Sequence, residues 1–375
     1  MLRAVFWVAG GALAWTHVGY PLAAAALARL RPRPVRKEDA TPEVAVVVAA
    51  HDEEDVIGRR VENLLELDYP ADRLAVVVAS DGSTDGTDAA VAALAERDPR
   101  VSLVSAPRRG KVRAQDAVVA GLESEVVAFT DANTLWAPDA LRALVRSFAD
   151  PEVAYVCGRL ELQSAGGVNR EGVYWRYELW VRESESRLAG ITAGNGGIYA
   201  VRRTDYRPSD DPRMGHDLGF PYTLAQAGRR AVYEPAARAF EKASRSSEDE
   251  YGRRVRMQAQ GWTHVLSGRM LRPAEPLFVA QLVSHRVLRY LSGILHVGLL
   301  GSSLTLAGRG GVYRTALAAQ LAWLGLAAAG RLRVPLPGAA IAYHYLLMTS
   351  ATLPGLARAL RGEAPVVWDK AEGTR

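Results

Sequence analysis

One cysteine, Cys157, is present among 375 residues, which excludes an intrachain disulfide and fits a reducing compartment. Lysine is nearly as scarce. Lys37, Lys111, Lys242 and Lys370 stand against a background in which arginine supplies almost all the positive charge, so a lysine inside a motif is informative. No stretch interleaves aromatic and basic residues as a nucleic-acid surface would, and the net charge of +5 therefore does not point to DNA or RNA. The first strand-like run lacks the glycine fingerprint of a dinucleotide fold, which argues against a nicotinamide-dependent oxidoreductase.

Charge is also missing from the two ends of the chain. The run "AVFWVAGGALAWTHVGYPLAAAALARL" is long enough for the roughly 20 to 25 residues that cross a bilayer, and the basic block "RLRPRPVRK" follows it. Its length and that block favour an uncleaved anchor over 1–30 with a basic linker over 31–43, rather than a signal peptide. By the positive-inside rule the middle of the chain is then cytoplasmic, at the inner membrane. Three further apolar runs, 290–308, 313–330 and 337–360, read as C-terminal transmembrane helices within 292–362, ahead of a tail at 363–375. The mixed segment 271–291 reads as an amphipathic helix lying in the interface.

Between these ends, 44–270 alternates short apolar runs with helix-like segments. "VAVVVAA", "LAVVVAS", "VSLVSA" and "EVVAFTD" suit strands buried on both faces, and the pattern predicts a mostly parallel α/β sheet. Ligands of such sheets sit outside the carboxyl ends of the strands. The tips there are "HDEED", "DGSTDGT", "PRRGK" and "DANT". Each alone could be a turn or a helix cap, but four polar tips on one sheet edge converge on a site.

In this order the motifs resemble those of the membrane-bound family 2 glycosyltransferases of the GT-A fold, and are similar to the synthases of cellulose, hyaluronan and poly-N-acetylglucosamine. The likeness runs from residue 12 to the C-terminus, including "VGYPL" and the closing "VVWDK". "VVVAAHDEED" resembles a strand ending P-A-Y-N-E-E, which puts Ala50, Asp52 and Glu53 at nucleotide-contacting positions, with His51 and Asp52 replacing Tyr and Asn. "SDGSTDGT" matches D-[DG]-S-x-D-x-[ST] and implies that Asp81 faces a uracil ring. "GKVRAQDAVVAGL" is similar to G-K-x-x-A-x-N-x-[AG]-L, with Lys111 facing the diphosphate and Asp116 where Asn is usual. "AGNGGIYAVRR" resembles the acceptor side, with Gly194, Asn195, Gly196 and Gly197 close to a sugar. "MGHDLGFPYTL" aligns with [TN]-[ED]-D-x-x-[LI], which implies Asp217 as catalytic base, with His216 where an acid is usual.

The Q-x-x-R-W motif of processive members is least faithful. One frame places Arg253, Arg256 and Met257 on it, and a shifted frame gives Gln258, Gly261 and Trp262. The first keeps an arginine for the departing diphosphate, so Arg253, Arg254 and Arg256 are its expected stabilisers, with Trp262 on the acceptor side. "TDANTLW" falls at the metal position. Asp131 and the Asn133 carbonyl oxygen are the expected ligands of a divalent ion, Mg²⁺ or Mn²⁺, held with help from the nucleotide.

The resemblance implies an inverting, metal-dependent hexosyl or N-acetylhexosaminyl transferase. Its donor would be a nucleoside-diphosphate sugar, a UDP sugar by the motifs, and its acceptor a growing glycan at the membrane. Transfer of one sugar to a polyprenyl phosphate or other lipid-linked acceptor is the alternative, and a non-catalytic membrane scaffold is the rival of another class. Membrane lipids are the expected surroundings, and no nucleic acid is involved.

Overall fold

The computed structural model describes residues 1–163, 172–242, 247–364 and 366. Apart from Val366, the "VVWDK" motif lies outside the described residues. The chain opens with α1 (Leu2–Ala14), a π-helical turn at Trp15–Gly19, and α2 (Tyr20–Leu30). That wider turn is held from outside. Trp15 Nε1 donates to Ser284 Oγ at 3.0 Å and Thr16 Oγ1 to the Ser284 carbonyl at 2.7 Å.

The predicted alternation follows as β1 (Val44–Ala50), α3 (Glu54–Leu65), β2 (Leu74–Asp81), α4 (Thr87–Ala95), β3 (Val101–Ala106), α5 (Lys111–Val119) and β4 (Val126–Asp131). Every residue of β1 is buried, as an apolar run covered on both faces requires. Its side chains alternate between two cores: Val44, Val46 and Val48 join Ile57, Val61 and Leu64 of α3, while Val47 joins Ala114 and Val118 of α5. β1 pairs in parallel with β2 and β4, and β2 with β3.

Beyond β4 the sheet departs from the parallel expectation. β5 (Leu135–Trp136), α6 (Ala140–Arg146), β6 (Val153–Gln163), α7 (Gly172–Ser186), β7 (Tyr199–Arg202), α8 (His216–Gln226) and β8 (Arg230–Lys242) complete eight strands in the order β3-β2-β1-β4-β7-β6-β8-β5. β7 runs antiparallel to both β4 and β6, and β5 antiparallel to β8, so the sheet is mixed. The reversal has a functional consequence. Tyr199, the first residue of β7, pairs with Phe129 near the end of β4, which delivers the preceding loop, 192–197, to the edge carrying Asp131.

The chain then continues through α9 (Ser247–Leu266), α10 (Pro276–Leu282), a π-helical turn at Val283–Val287, and α11 (Leu288–Tyr290). The segment expected to lie in the membrane interface corresponds to α10 and α11, and its apolar face is covered by protein. Phe278 and Leu282 pack with Tyr222, Ala225 and Met270, and Gln281 donates to the Gly190 carbonyl at 2.9 Å. The expected spans fall on α12 (Ser292–Leu306), α13 (Gly311–Arg331), α14 (Ala339–Ser350) and α15 (Thr352–Leu360). Among the described residues no single helix is long and apolar enough to cross a membrane, whereas 276–290 and 292–309, bent by 64°, reach that length and apolarity together. Large apolar side chains nevertheless face outward on these helices, Trp7, Val8 and Leu22 near the N-terminus and Val297, Leu304, Leu321 and Trp323 near the C-terminus.

Candidate active site

The tips of β1 and β2 are sewn together. Asp52, at a left-handed φ of 53°, accepts the Thr84 N–H on Oδ1 at 2.6 Å, and this bond holds its carboxyl below the usual carboxylate range. The Glu53 N–H donates to Thr87 Oγ1 at 2.7 Å, and Glu54 accepts the Gly86 N–H at 2.8 Å. Asp81 is 1% exposed and accepts the N–H groups of Arg109, at 2.6 Å, and Gly110, at 2.9 Å. It thereby fixes the loop that starts α5 and presents Lys111. Ala50, Glu53 and Asp81 are all buried, so these three residues shape the edge from within.

Lys111 forms an ion pair with Asp131. Burial is the largest single influence and opposes the ammonium, but the Asp131 charge and hydrogen bond, with the Asp217 and Glu241 charges, together outweigh it and lift the amine above its ordinary range. The pair lines a cavity of about 420 Å³, together with loop 194–197, Asp217, Glu241, Arg253 and Arg254. Beneath it, buried Arg60 donates to Thr130 Oγ1 at 2.9 Å and lies 5.2 Å from the Trp136 ring centre.

Loop 192–197 forms one wall, anchored along its length. The Gly194 N–H donates to the Asp217 carbonyl at 2.7 Å, and a side chain at Gly194 would collide with the Tyr155 hydroxyl. Asn195, expected on the acceptor side, is 8% exposed and serves the turn: Nδ2 donates to the Gly158 carbonyl at 2.9 Å and Oδ1 accepts the Ile198 N–H at 3.0 Å. A Cβ at Gly196 would stand 3.1 Å from Lys111 Nζ and 3.3 Å from Asp131 Oδ2, so the backbone there backs directly onto the ion pair. The Gly197 carbonyl accepts from Thr130 Oγ1 at 2.9 Å and Trp136 Nε1 at 3.0 Å.

Asp217 sits in the first turn of α8, its Oδ1 accepting the Leu218 N–H at 3.0 Å. Its neighbour His216 places Nε2 3.1 Å from Asp116 Oδ1, and Asp116 also accepts the Tyr206 hydroxyl at 2.6 Å. The two positions that depart from the family pattern, Asp116 and His216, thus meet each other behind the expected base.

The residues of α9 divide. Arg253 and Arg254 line the cavity and share Glu250, with Arg253 Nε to Oε2 at 2.9 Å. Arg256 is not among the lining residues. Trp262, expected at the acceptor, is 4% exposed and donates its indole N–H to the Thr352 carbonyl at 2.9 Å, which ties α9 to α15. A side chain at Gly261 would overlap the Tyr290 ring, so Tyr290 fills the place that the shifted frame would give to the arginine of Q-x-x-R-W.

Glu241 was missed from sequence; it stands at the far end of β8, separated by over a hundred residues from its partners. Burial first, then the Asp131 charge, raises its carboxyl above the usual range, and Asn133 Nδ2 donates to it at 3.2 Å. Ionisation therefore costs folded-state stability, a cost absent below the ordinary Glu value and complete above the raised one. Glu241→Gln is expected to raise the melting temperature at pH 8 and leave it unchanged at pH 4. Scanning calorimetry at both values checks the sign.

Asp131 faces the cavity, and Asn133, through Glu241, adjoins it. Among the described residues no group of three or more His, Cys, Asp or Glu side chains could hold a metal ion. The donor set fits a hard cation shared with a diphosphate, which takes its remaining oxygens from ligand and water, and does not form a protein cage.

On the far side of the cavity, Arg182 of α7 donates from Nη2 to the Gly194 carbonyl at 3.2 Å, and Arg286 donates from Nε to Thr192 Oγ1 at 3.0 Å.

The family described as Glycosyl transferase family 2 matches residues 45–207. Over 195 residues the chain is 33% identical to a beta-monoglucosyldiacylglycerol synthase of Synechocystis sp., covering 49% of this chain and 39% of the relative. It is 27% identical over 219 residues to an N-acetylglucosaminyltransferase of Rhizobium meliloti (52% and 50%). With a poly-beta-1,6-N-acetyl-D-glucosamine synthase of Staphylococcus aureus the identity is 22% over 244 residues (63% and 58%). The chain thus spans less than two thirds of the length of each. Among solved structures, a mannosyltransferase from Pyrobaculum calidifontis in complex with GDP-Man and Mn²⁺ superposes with a TM-score of 0.75 at 24% identity, over 97% of this chain and 100% of that one. Sequence match and shared shape agree on what they cover: residues 45–207 match a family 2 glycosyltransferase domain, and the chain has a GT-A fold with a mixed sheet.

Proposed function

We propose that the enzyme transfers one sugar, with inversion, from a nucleoside-diphosphate sugar, in first place a UDP sugar, to the hydroxyl of a lipid-linked acceptor at a membrane. The observation that carries this reading is the meeting of Lys111, Asp131 and Asp217 in one cavity that continues to residues of the terminal helices, among them His17, Tyr345 and Met348.

In this mechanism Asp217 takes the proton of the acceptor hydroxyl as its oxygen attacks the anomeric carbon. The bond from that carbon to the diphosphate breaks on the opposite face, and the diphosphate leaves with the electron pair. Loop 192–197 holds the sugar between these groups. Lys111, Arg253 and Arg254 offset the charge that develops on the leaving group. A divalent cation held by Asp131, with Asn133 and Glu241 beside it, would add a further counter-charge there.

Of the two acceptor classes expected, a lipid gains over a growing polymer. Trp262, which would stack on a polymer's sugar, is engaged with Thr352, and Tyr290 occupies the space beside Gly261. Three of the sequence relatives carry the name beta-monoglucosyldiacylglycerol synthase. The outward apolar side chains on the terminal helices support a membrane setting, with the catalytic body on the cytoplasmic face. Incubating the purified chain with radiolabelled UDP and GDP sugars, Mn²⁺ or Mg²⁺, and lipid extract tests the reading. Label appearing in a discrete lipid product is the expected result. A ladder of lengthening glycan would favour the polymer, and no incorporation from any donor would favour the scaffold.

A further inference from the structure

We infer that the acceptor carries a phosphate group beside its reacting hydroxyl, and that Arg286 and Arg182 hold that phosphate while the hydroxyl meets Asp217. The inference deepens the transferase reading above and rests on it.

Among the described residues five arginines line the cavity, and they are not equivalent. Arg253 and Arg254 share Glu250, and Arg289 is closed by Glu178 and the Tyr177 hydroxyl. Arg182 and Arg286 have no carboxylate within ion-pair distance among the described residues. Arg182 is 6% exposed, its Nε has no partner among the described residues, and its guanidinium meets the Gly194 carbonyl, the Cys157 sulfur and, 5.8 Å from its centre, the neutral Tyr233 ring. Arg286 uses Nε on Thr192, and its two terminal amines meet no partner among the described residues. The nearby acids do not close it: Glu178 is taken by Arg289, and Glu185 by His285 at 2.7 Å, Tyr20 at 2.6 Å and Thr192 at 3.0 Å. A guanidinium kept from water without a counter-charge is costly, as for Arg182, and half-buried Arg286 turns its terminal amines to the same chamber, so together they mark a place for an anion supplied from outside.

The donor's diphosphate does not fill that place. Loop 192–197 has two ends: Gly196 backs onto Lys111 and Asp131, whereas Thr192 and Gly194 bond the two arginines. Asp217, bonded to Gly194, stands at the arginine end of the loop. A diphosphate at Lys111 leaves the arginines to the other substrate. Beyond them the cavity wall passes to Ser292, Tyr345 and Met348 of the terminal helices, which suits an amphiphile whose polar head reaches inward. Guanidinium forks match phosphate oxygens in paired hydrogen bonds, and two forks suit a group that offers oxygens on several sides.

The test uses the full chain in detergent. Binding of lysophosphatidylglycerol and of monoacylglycerol with the same acyl chain is measured by calorimetry, beside sn-glycerol 3-phosphate, UDP and GDP. The phosphate-bearing amphiphile is expected to bind about tenfold more tightly than the neutral one. Arg286→Gln is expected to remove that preference and leave nucleotide affinity unchanged, while Arg286→Lys keeps part of it. Equal binding of the two amphiphiles by the wild-type chain overturns the inference, whatever the variants do. So does an Arg286→Gln variant that loses UDP and GDP affinity as well, because the arginine then serves the leaving group. Glycerol 3-phosphate binding as tightly as the amphiphile keeps the anion site and overturns its lipid source. Failure of the wild-type chain to bind either nucleotide strikes the transferase reading, a result separate from the comparison of the amphiphiles.

Discussion

Asp217→Asn is expected to lower the rate of sugar transfer about 10³-fold while leaving donor affinity within a factor of about two. The amide keeps the shape of the carboxylate and can still accept the Leu218 N–H, so the first turn of α8 is preserved. What is lost is a site for the acceptor's proton. Single-turnover transfer with a saturating donor, alongside nucleotide titration, separates the two effects. Full activity in the variant would remove Asp217 from the reaction. An equal loss of donor binding would reassign it to the donor site. His216 and Asp116 give an internal control, since they meet behind the proposed base and are not among the residues that line the cavity.

The second large effect concerns the Lys111 and Asp131 pair. In the structure the lysine already neutralises Asp131, so a cation arriving alone must displace the ammonium from that carboxylate. Mn²⁺ is therefore expected to bind the free enzyme weakly and to bind at least tenfold more tightly when UDP or GDP offers its diphosphate to Lys111. Lys111→Met should raise Mn²⁺ affinity in the absence of nucleotide and so reduce the enhancement by nucleotide, leaving the part that comes from diphosphate oxygens on the ion. Asp131→Asn should weaken Mn²⁺ binding under both conditions. Calorimetry on the three proteins reads each outcome directly. Tight Mn²⁺ binding by the free wild-type enzyme would contradict the competition.

The parts of this site that were legible in the sequence are those where chemistry and position coincide along a strand. Lys111, Asp131 and the glycines of 194–197 each follow or precede an apolar run, and the rule that ligands sit beyond strand ends brings them together. The parts that were not legible depend on packing between distant helices. Nothing in "YGRRVRMQAQGW" shows that Tyr290 will press on Gly261 or that Trp262 will turn toward Thr352, because those partners lie tens of residues away. Glu241 and Arg286 were overlooked for the same reason: an acid in a strand and an arginine in a mixed helix gain meaning only once other elements enclose them. The sheet shows the limit from another side. Four parallel strands could be read from their buried runs, but β7 is four residues long, too short to reveal its direction before its neighbours are known.

The loop from Thr192 to Gly197 bears on how such enzymes diversify. Anchors at Thr192, Gly194, Asn195 and Gly197, with Gly196 pressed on the ion pair, leave little room for one end to transmit a shift to the other. A wall fixed in this way works as a modular boundary. Under the proposed reaction, substitutions around Arg182 and Arg286 would exchange one acceptor for another while the nucleotide end keeps its chemistry, so donor and acceptor preferences would drift on separate clocks over evolutionary time.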